Sequence, residues 1–496
     1  MKQYKKLAGQ TVVYGMGTIV PRFLNYFVLT PVYTRIFKDV QYGIVNELYA
    51  YIVFLLILLT YGTETGYFRF VKEEKKPGQV FSTIMSSLFT TSILFLVVIY
   101  IFHPEIASAL QYKDRSYLIL LFSAVVTVDA FSAVPFAKLR FEEKAKKFGL
   151  LKIFNVVANL FFNLLFFGIF PYIQTRFPES PILILYNASI GVGYVFVANL
   201  FASVLTLLFM LPEMNIRPKL IDTRLLRQIL VYSFPLLFVG LAGAINEVAD
   251  KFFLKLLIPG KNEALSQIGI YSANYKLGML MTIFIQMFRY AAEPFYFSKM
   301  KDKDAKTVYA KVMKYFILFG LFIFLFVTLY LDVLKYFIGS EYHSGLKIVP
   351  IILIANLFLG IVYNLSIWYK LSSRTGYGAL IALIGALVTI GLNLYLIPVY
   401  GYVGSAWATL TCYVVMTVVS YTMSKKYYPI PYKLRSVGIY AFVAVGIFFI
   451  QNYIQYPGLF LKVVFNSLFL LGFILLIAFR ENVTLQHVKE FFNRKK

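Results

Sequence analysis

Charge is scarce in this sequence. Only 14% of its 496 residues are Asp, Glu, Lys or Arg, while 59% are hydrophobic. A soluble domain carries about 25% charged residues, so a soluble fold is excluded. The apolar runs also lack the in–out alternation of a transmembrane barrel. Histidine is reduced to His103, His343 and His487, none at metal-ligand spacing from another ligand, so no metal site and no cofactor are expected. The one cysteine, Cys412, lies in an apolar run and has no partner for an intramolecular disulfide. No glycine-rich loop precedes a Lys–Ser/Thr pair, so ATP-driven transport lacks its phosphate cradle.

What is present is a succession of apolar runs, each near the roughly 20 residues that cross a bilayer as a helix. They predict an all-α polytopic membrane protein of about fourteen transmembrane helices, at 8–34, 41–67, 80–103, 116–137, 148–171, 185–211, 229–258, 265–295, 309–332, 345–369, 377–398, 402–423, 436–453 and 459–478. The basic opening "MKQYKKLAGQTVVYGMG" leads into an apolar run too long for a signal-peptide core, and reads as an uncleaved first span. The formal net charge is +25. With both termini cytoplasmic, Lys and Arg favour the inner loops by roughly four to one, as the positive-inside rule requires. The excess therefore needs no nucleic acid as a partner.

Loops are short, and no soluble domain is expected between spans. "RPKLIDTRLLRQIL" (217–230) reads as an amphipathic linker on the inner membrane surface. The tail, with Val483, Leu485, Val488, Phe491 and Phe492 among basic residues, reads as either interfacial or solvated.

Weak internal matches recur six spans apart. "YGIVNELYAY" and "ETGYF" of span 2 match "IGIYSANYKL" and "EPFYF" of span 8. "NLLFFGIFP" of span 5 matches "NLYLIP" of span 11, and "GVGYVFVANL" of span 6 matches "GYVGSAWATL" of span 12. Each pair runs in the same direction. The expected organisation is two parallel six-helix bundles, 1–211 and 229–424, joined by a cytoplasmic linker at 212–228. Two further helices follow at 425–478, then a cytoplasmic tail at 479–496. Duplicated transporters of this kind hold substrate where the halves meet.

Charges within spans are costly and mark cavities, partners or gates. Arg22 follows Pro21 about 21 Å into span 1, by the helix rise. Lys276 falls near the middle of span 8, and Arg289 nearer its cytoplasmic end. Asp129 falls near the middle of span 4, as a proton or cation carrier or the partner of a buried cation. Glu47 sits in the outer part of span 2. Glu247, Asp250 and Lys251 stand at i, i+3 and i+4 in span 7, with Glu247 before Lys251 in the order that favours an ion pair. They read as a structural pair or as an outer gate. Asn155, Asn159 and Asn163 form a stripe on span 5 that serves helix–helix hydrogen bonding or a cavity wall.

The span pattern, the opening "LAGQTVVYGMGTIVPRFLNYFVLTPVYTRIF", "YGIVNELYAY", the pair Asp250–Lys251 and "NLYLIPVYGYVGSAWATL" carry a resemblance over nearly the whole chain. The sequence resembles the polysaccharide-biosynthesis flippases, the Wzx-like translocases of the multidrug/oligosaccharidyl-lipid/polysaccharide exporter superfamily. The resemblance implies a secondary transporter, not an enzyme, in the bacterial cytoplasmic (inner) membrane. Its cargo would be a polyprenyl-pyrophosphate-linked oligosaccharide used for O-antigen, capsule or a similar surface polysaccharide. It implies alternating access, H+ or Na+ as coupling ion, and contact with membrane lipids and other polysaccharide-assembly proteins. Basic cavity residues on spans 1, 2, 7 and 8 are a family trait; Arg22 and Lys276 match it, and span 2 departs from it with the acid Glu47, while Arg289 is a further candidate for the substrate that could instead reach the headgroups. Carriers or gates would come from Glu47, Asp129, Glu247, Asp250 and Lys251. The competing readings are a multidrug exporter of organic cations and, with less support from such short outer loops, a membrane glycosyltransferase or polymerase.

Overall fold

The computed structural model describes residues 2–73, 77–214, 216 and 221–481. Among these the chain is helical, with no strand. The first elements are α1 (Lys2–Ile36), α2 (Asp39–Thr60), α3 (Thr63–Glu73), α4 (Pro77–Ala109), α5 (Tyr117–Phe141) and α6 (Ala145–Leu164). A π-helical turn (Leu165–Ile169) leads into α7 (Phe170–Arg176), then α8 (Gly193–Met210), α9 (Thr223–Leu257), α10 (Lys261–Leu277) and α11 (Met279–Lys299). After these come α12 (Ala305–Leu329), α13 (Leu331–Leu334), α14 (Val349–Leu365), α15 (Ile367–Leu371), α16 (Gly376–Tyr400), α17 (Tyr402–Tyr427), α18 (Leu434–Tyr453) and α19 (Leu459–Arg480).

Twelve helical runs are long and apolar enough to cross a membrane among the described residues, and the bent pair α10–α11 makes a thirteenth. The expected count of about fourteen is thus reached only to twelve or thirteen. The span left over is 8–34, which coincides with α1. Span 6 begins later than expected. Residues 181–190 form short 3₁₀ turns, Asn187 caps one of them, and Gly191 adopts φ +50° before α8 starts at Gly193. Within the expected linker, residues 217–220 lie outside the described set. Thr223 onward already belongs to α9, capped by the Asp222 carboxylate on the Arg224 and Leu225 N–H groups. Leu225 and Ile229 are buried against α3 and α4. Most of the tail, from 482 on, also lies outside the described residues.

The chain divides into two compact units, residues 1–273 with 382–408, and residues 274–381 with 409–496. In the first, α1 packs on α6, α5 on α4 and α8, and α2 on α5 and α9. Backbones approach closely where side chains are absent, as membrane helix packing favours. A Cβ on Gly17 would stand 2.8 Å from Gly149 Cα, where α1 crosses α6. In the second unit, α12 is the centre, contacted by α11, α14, α18 and α19. Outward faces are apolar: Phe89, Leu94 and Ile101 on α4, and Phe460, Leu468 and Leu475 on α19, are exposed. Such faces suit acyl chains.

Positions matched in the sequence hold side-chain contacts of like kind. Glu64 of "ETGYF" pairs with Arg140 at 2.5 Å, and Glu293 of "EPFYF" pairs with Lys370 at 2.6 Å. Arg140 and Lys370 lie at the ends of spans 4 and 10, again six spans apart. Asn163 and Asn393, the asparagines of the span 5 and span 11 matches, each donate to the carbonyl four residues back, Asn159 and Thr389.

Candidate functional site

The N-terminal half of α2 crosses α10 inside the first unit. A Cβ on Gly43 would overlap the Leu265 carbonyl, and a Cβ on Gly269 would overlap the Asp39 carbonyl. The contact is reciprocal: each glycine meets the residue four before the other glycine. Ser266 Oγ donates to the Asp39 carboxylate at the same crossing.

One turn below lies Glu47, 1% exposed. Tyr112, from the loop after α4, and Tyr51 both donate to its carboxylate, Tyr51 at 3.1 Å. Lys255 of α9 places its ammonium 3.5 Å from Glu47 Oε2. The rings add to this: Lys255 and Lys261 stand 5.1 and 5.2 Å from the Tyr112 centroid, within cation–π range. Burial, reinforced by the neighbouring Glu47 carboxylate, pushes the Tyr112 phenol well above its ordinary value, so Tyr112 is a donor throughout the physiological range. Only Glu47 was legible as a candidate here. Lys255 was not among the charges singled out in the sequence, and Tyr112 carried no signal in a sequence with 39 tyrosines.

The triplet on α9 separates. Lys251 lies 3.1 Å from Asp250 Oδ1, its chain neighbour, and Asp250 is buried. Glu247 is exposed. The ion pair of Lys251 is therefore made with Asp250, not with Glu247 as the favoured i, i+4 order suggests. A short carboxylate held beside the ammonium by the preceding Cα outcompetes one a full turn away. Lys251 also faces the Tyr271 ring at 5.8 Å.

At mid-depth in the first unit runs a seam of hydrogen bonds. Asp129 of α5 accepts from Ser203 Oγ of α8 at 2.7 Å. Nearby, Lys152 of α6 rests its ammonium 3.8 Å from the centre of the Phe136 ring. Asn155 donates to Thr206 at 3.1 Å, and Asn163 accepts from Tyr33 of α1 at 2.6 Å and donates to Asn159. The asparagine stripe thus bonds α6 to its neighbours α1 and α8. A second seam, unread in the sequence, joins α9 to α16 through Asn246 and Thr389 at 3.3 Å, and α16 to α17 through Asn393 and Ser405 at 2.9 Å.

Lys276 is half-buried in the penultimate position of α10, beside Gly278, where the span bends by 53°. Broken membrane helices of this type accompany transport sites. Arg22 belongs to α1, but its side chain lies outside the described residues. In the second unit, Arg289 is exposed, with its guanidinium 4.9 Å from the Tyr363 ring. It lines a narrow cleft with Glu293, Tyr296, Asn364, Ser366 and Lys370. Tyr296 donates to Asn364 in the wall of this cleft at 2.7 Å. No group of three potential metal ligands occurs among the described residues.

These helices define a polytopic helical membrane fold. A structure described as the lipid II flippase MurJ in an inward closed conformation superposes with a TM-score of 0.69 at 14% identity, covering 95% of this chain and 100% of that one. An inward-facing multidrug resistance MATE family transporter of the MOP superfamily gives 0.64 at 13% identity, covering 84% of this chain and 97% of that one. The family model "Polysaccharide biosynthesis protein" matches residues 7–301, and the chain belongs to that family. No curated protein matches it in sequence.

Proposed function

We propose that this chain is a flippase that moves a polyprenyl-pyrophosphate-linked oligosaccharide repeat unit across the bacterial cytoplasmic membrane by alternating access. The exposed guanidinium of Arg289 carries this reading. Glu47, Asp129, Asp250 and Glu293 are each engaged by a protein partner. Arg289 instead holds its guanidinium exposed above Tyr363. A cavity for organic cations needs available acids, whereas a pyrophosphate needs cations, Arg for bidentate contact and Lys as a point charge. Family membership and the likeness to a structure named as a lipid II flippase support a lipid-linked cargo.

In this reading Arg22, Lys276 and Arg289 bind the pyrophosphate. Residues 1–211 and 229–424 are the two moving halves, 425–478 an addition, and 212–228 the linker. The Glu47–Lys255 pair, under the Gly43–Gly269 crossing, latches the outer end. A proton or sodium gradient supplies the drive, through Asp129 or Glu247. Both termini are cytoplasmic, and other polysaccharide-assembly proteins consume the product. The chain is a transporter and performs no covalent chemistry.

A second reading, export of organic cations, is favoured by the exposed carboxylate of Glu247 and by the fold shared with a multidrug transporter. Proteoliposomes separate the two. Labelled polyprenyl-pyrophosphate oligosaccharide should become accessible to an external quencher with wild type and far more slowly with Arg22→Ala or Arg289→Ala at equal folded protein. No movement of the label under either imposed gradient, with uptake of a cationic dye that Glu247→Gln abolishes, would replace the flippase by the drug exporter.

A further inference from the structure

The start of α18 and the end of α19 leave a cleft of about 730 Å³ in the second unit, the size of a small-molecule site. Its walls carry Lys433, Arg435, Ser436 and Arg480, with Tyr432 and Ile439 beside them. The electrostatics here are unbalanced. A helix N-terminus presents free N–H groups and a partial positive charge, and normally attracts an acid or a capping oxygen. α18 has neither: its cap residue is Lys433, no side chain caps it, and its first turn holds Arg435 and no acid. Arg480 adds a third cation from the last turn of α19, 5.6 Å from the Tyr440 ring.

One carboxylate, Glu481, lies close enough to Lys433 to feel its charge, but its direct bonds go elsewhere. Glu481 pairs with Lys314 of α12 at 2.5 Å and accepts from Tyr440 at 2.6 Å. Among the described residues, Lys433, Arg435 and Arg480 make no ion pair of their own. Three cations and a bare helix N-terminus around one cleft are the complement of a phosphate.

The setting narrows the source of that phosphate. The cleft lies at the ends of two apolar helices, on the side to which the sequence assigns most of its Lys and Arg, where lipid headgroups sit. Phe442 of α18 and Phe479 of α19 are 81% and 84% exposed. Basic clefts between membrane helices at this level take anionic headgroups.

We propose that this cleft binds the phosphate of an acidic membrane phospholipid, seated among Lys433, Arg435, Arg480 and the free N–H groups of α18, with its acyl chains along the outer faces of α18 and α19. The site is independent of the transported cargo.

The test uses the full chain in bilayer discs of phosphatidylcholine with phosphatidylglycerol, and native mass spectrometry to count retained lipid. Phosphatidylglycerol should be retained over phosphatidylcholine by wild type, and Arg435→Gln/Arg480→Gln should lower that preference about tenfold, a loss of about 1.4 kcal/mol. Arg435→Lys/Arg480→Lys should keep part of it, which guards against misfolding of the neutral variant. Equal preference in wild type and the Gln variant overturns the proposal. So does displacement of the lipid by millimolar inorganic phosphate, which would mark a free-anion site. Binding seen only after removal of residues 482–496 would make the chain's own tail the occupant, and overturns it too.

Discussion

The pair Glu47–Lys255 offers the most direct test of the cluster beside the Gly43–Gly269 crossing. Two unit charges 3.5 Å apart attract by roughly 5 kcal/mol at an effective dielectric of about 20, but desolvation of both ions offsets much of that. The two sides are not equivalent. Glu47 also accepts from Tyr51 and Tyr112, whereas the Lys255 ammonium is buried with no other direct hydrogen bond among the described residues. Glu47→Gln therefore strands a buried ammonium and should cost about 3–5 kcal/mol. Lys255→Met leaves a carboxylate still held by two phenols, and should cost less, about 1–3 kcal/mol. Glu47→Gln with Lys255→Met removes both charges and should return to within roughly 2 kcal/mol of wild type. The single buried cysteine, Cys412, provides the readout: a thiol-reactive fluorophore reports its exposure during denaturant titration in detergent. If Glu47→Gln costs no more than Lys255→Met, or if the double substitution costs the sum of the two, the pair is not the source of the stability and the reasoning fails.

Two other outcomes are expected. Gly269→Val should push α10 away from the Asp39 carbonyl and cost about 1–3 kcal/mol as an overpacked contact, whereas Gly243→Val, whose Cβ meets nothing within 4 Å, should leave the same unfolding midpoint nearly unchanged; equal costs would refute the close crossing. Hydrogen bonds from Lys462 and then Lys335 hold the Asp332 carboxyl below its ordinary range, against the opposing effect of burial. A depressed acid stabilises above its unfolded value of about 3.9 and loses that contribution as pH falls through the lower folded value. Thermal midpoints from pH 5 down to pH 2.5 should therefore drop less steeply in Asp332→Asn than in wild type, and parallel curves would refute the linkage.

Much of the fold was legible because a bilayer imposes a length and an apolar composition on each span. The same constraint made charges in spans stand out, and so Glu47, Asp129 and Asp250 were found. Their partners were not. Sequence spacing speaks for contacts within one helix, and even there it favoured Glu247 over Asp250 for Lys251. Besides Tyr51 one turn on, the partners of Glu47 come from 65 residues away at Tyr112 and from the end of α9 at Lys255, and nothing local in the sequence links these two to it.

The sequence alone determined the helical membrane class and singled out the candidate intramembrane charges, because hydrophobic length and a charge within a span are local quantities. Only the tertiary structure decided which charges are satisfied. It decided that Gly43 and Gly269 mark one reciprocal crossing, that the asparagine stripe bonds helices together, and that an uncapped helix start meets Arg480 across a cleft. These depend on which faces of distant helices meet, and in a membrane that choice is made by close backbone packing and buried hydrogen bonds rather than by hydrophobicity, which every face shares.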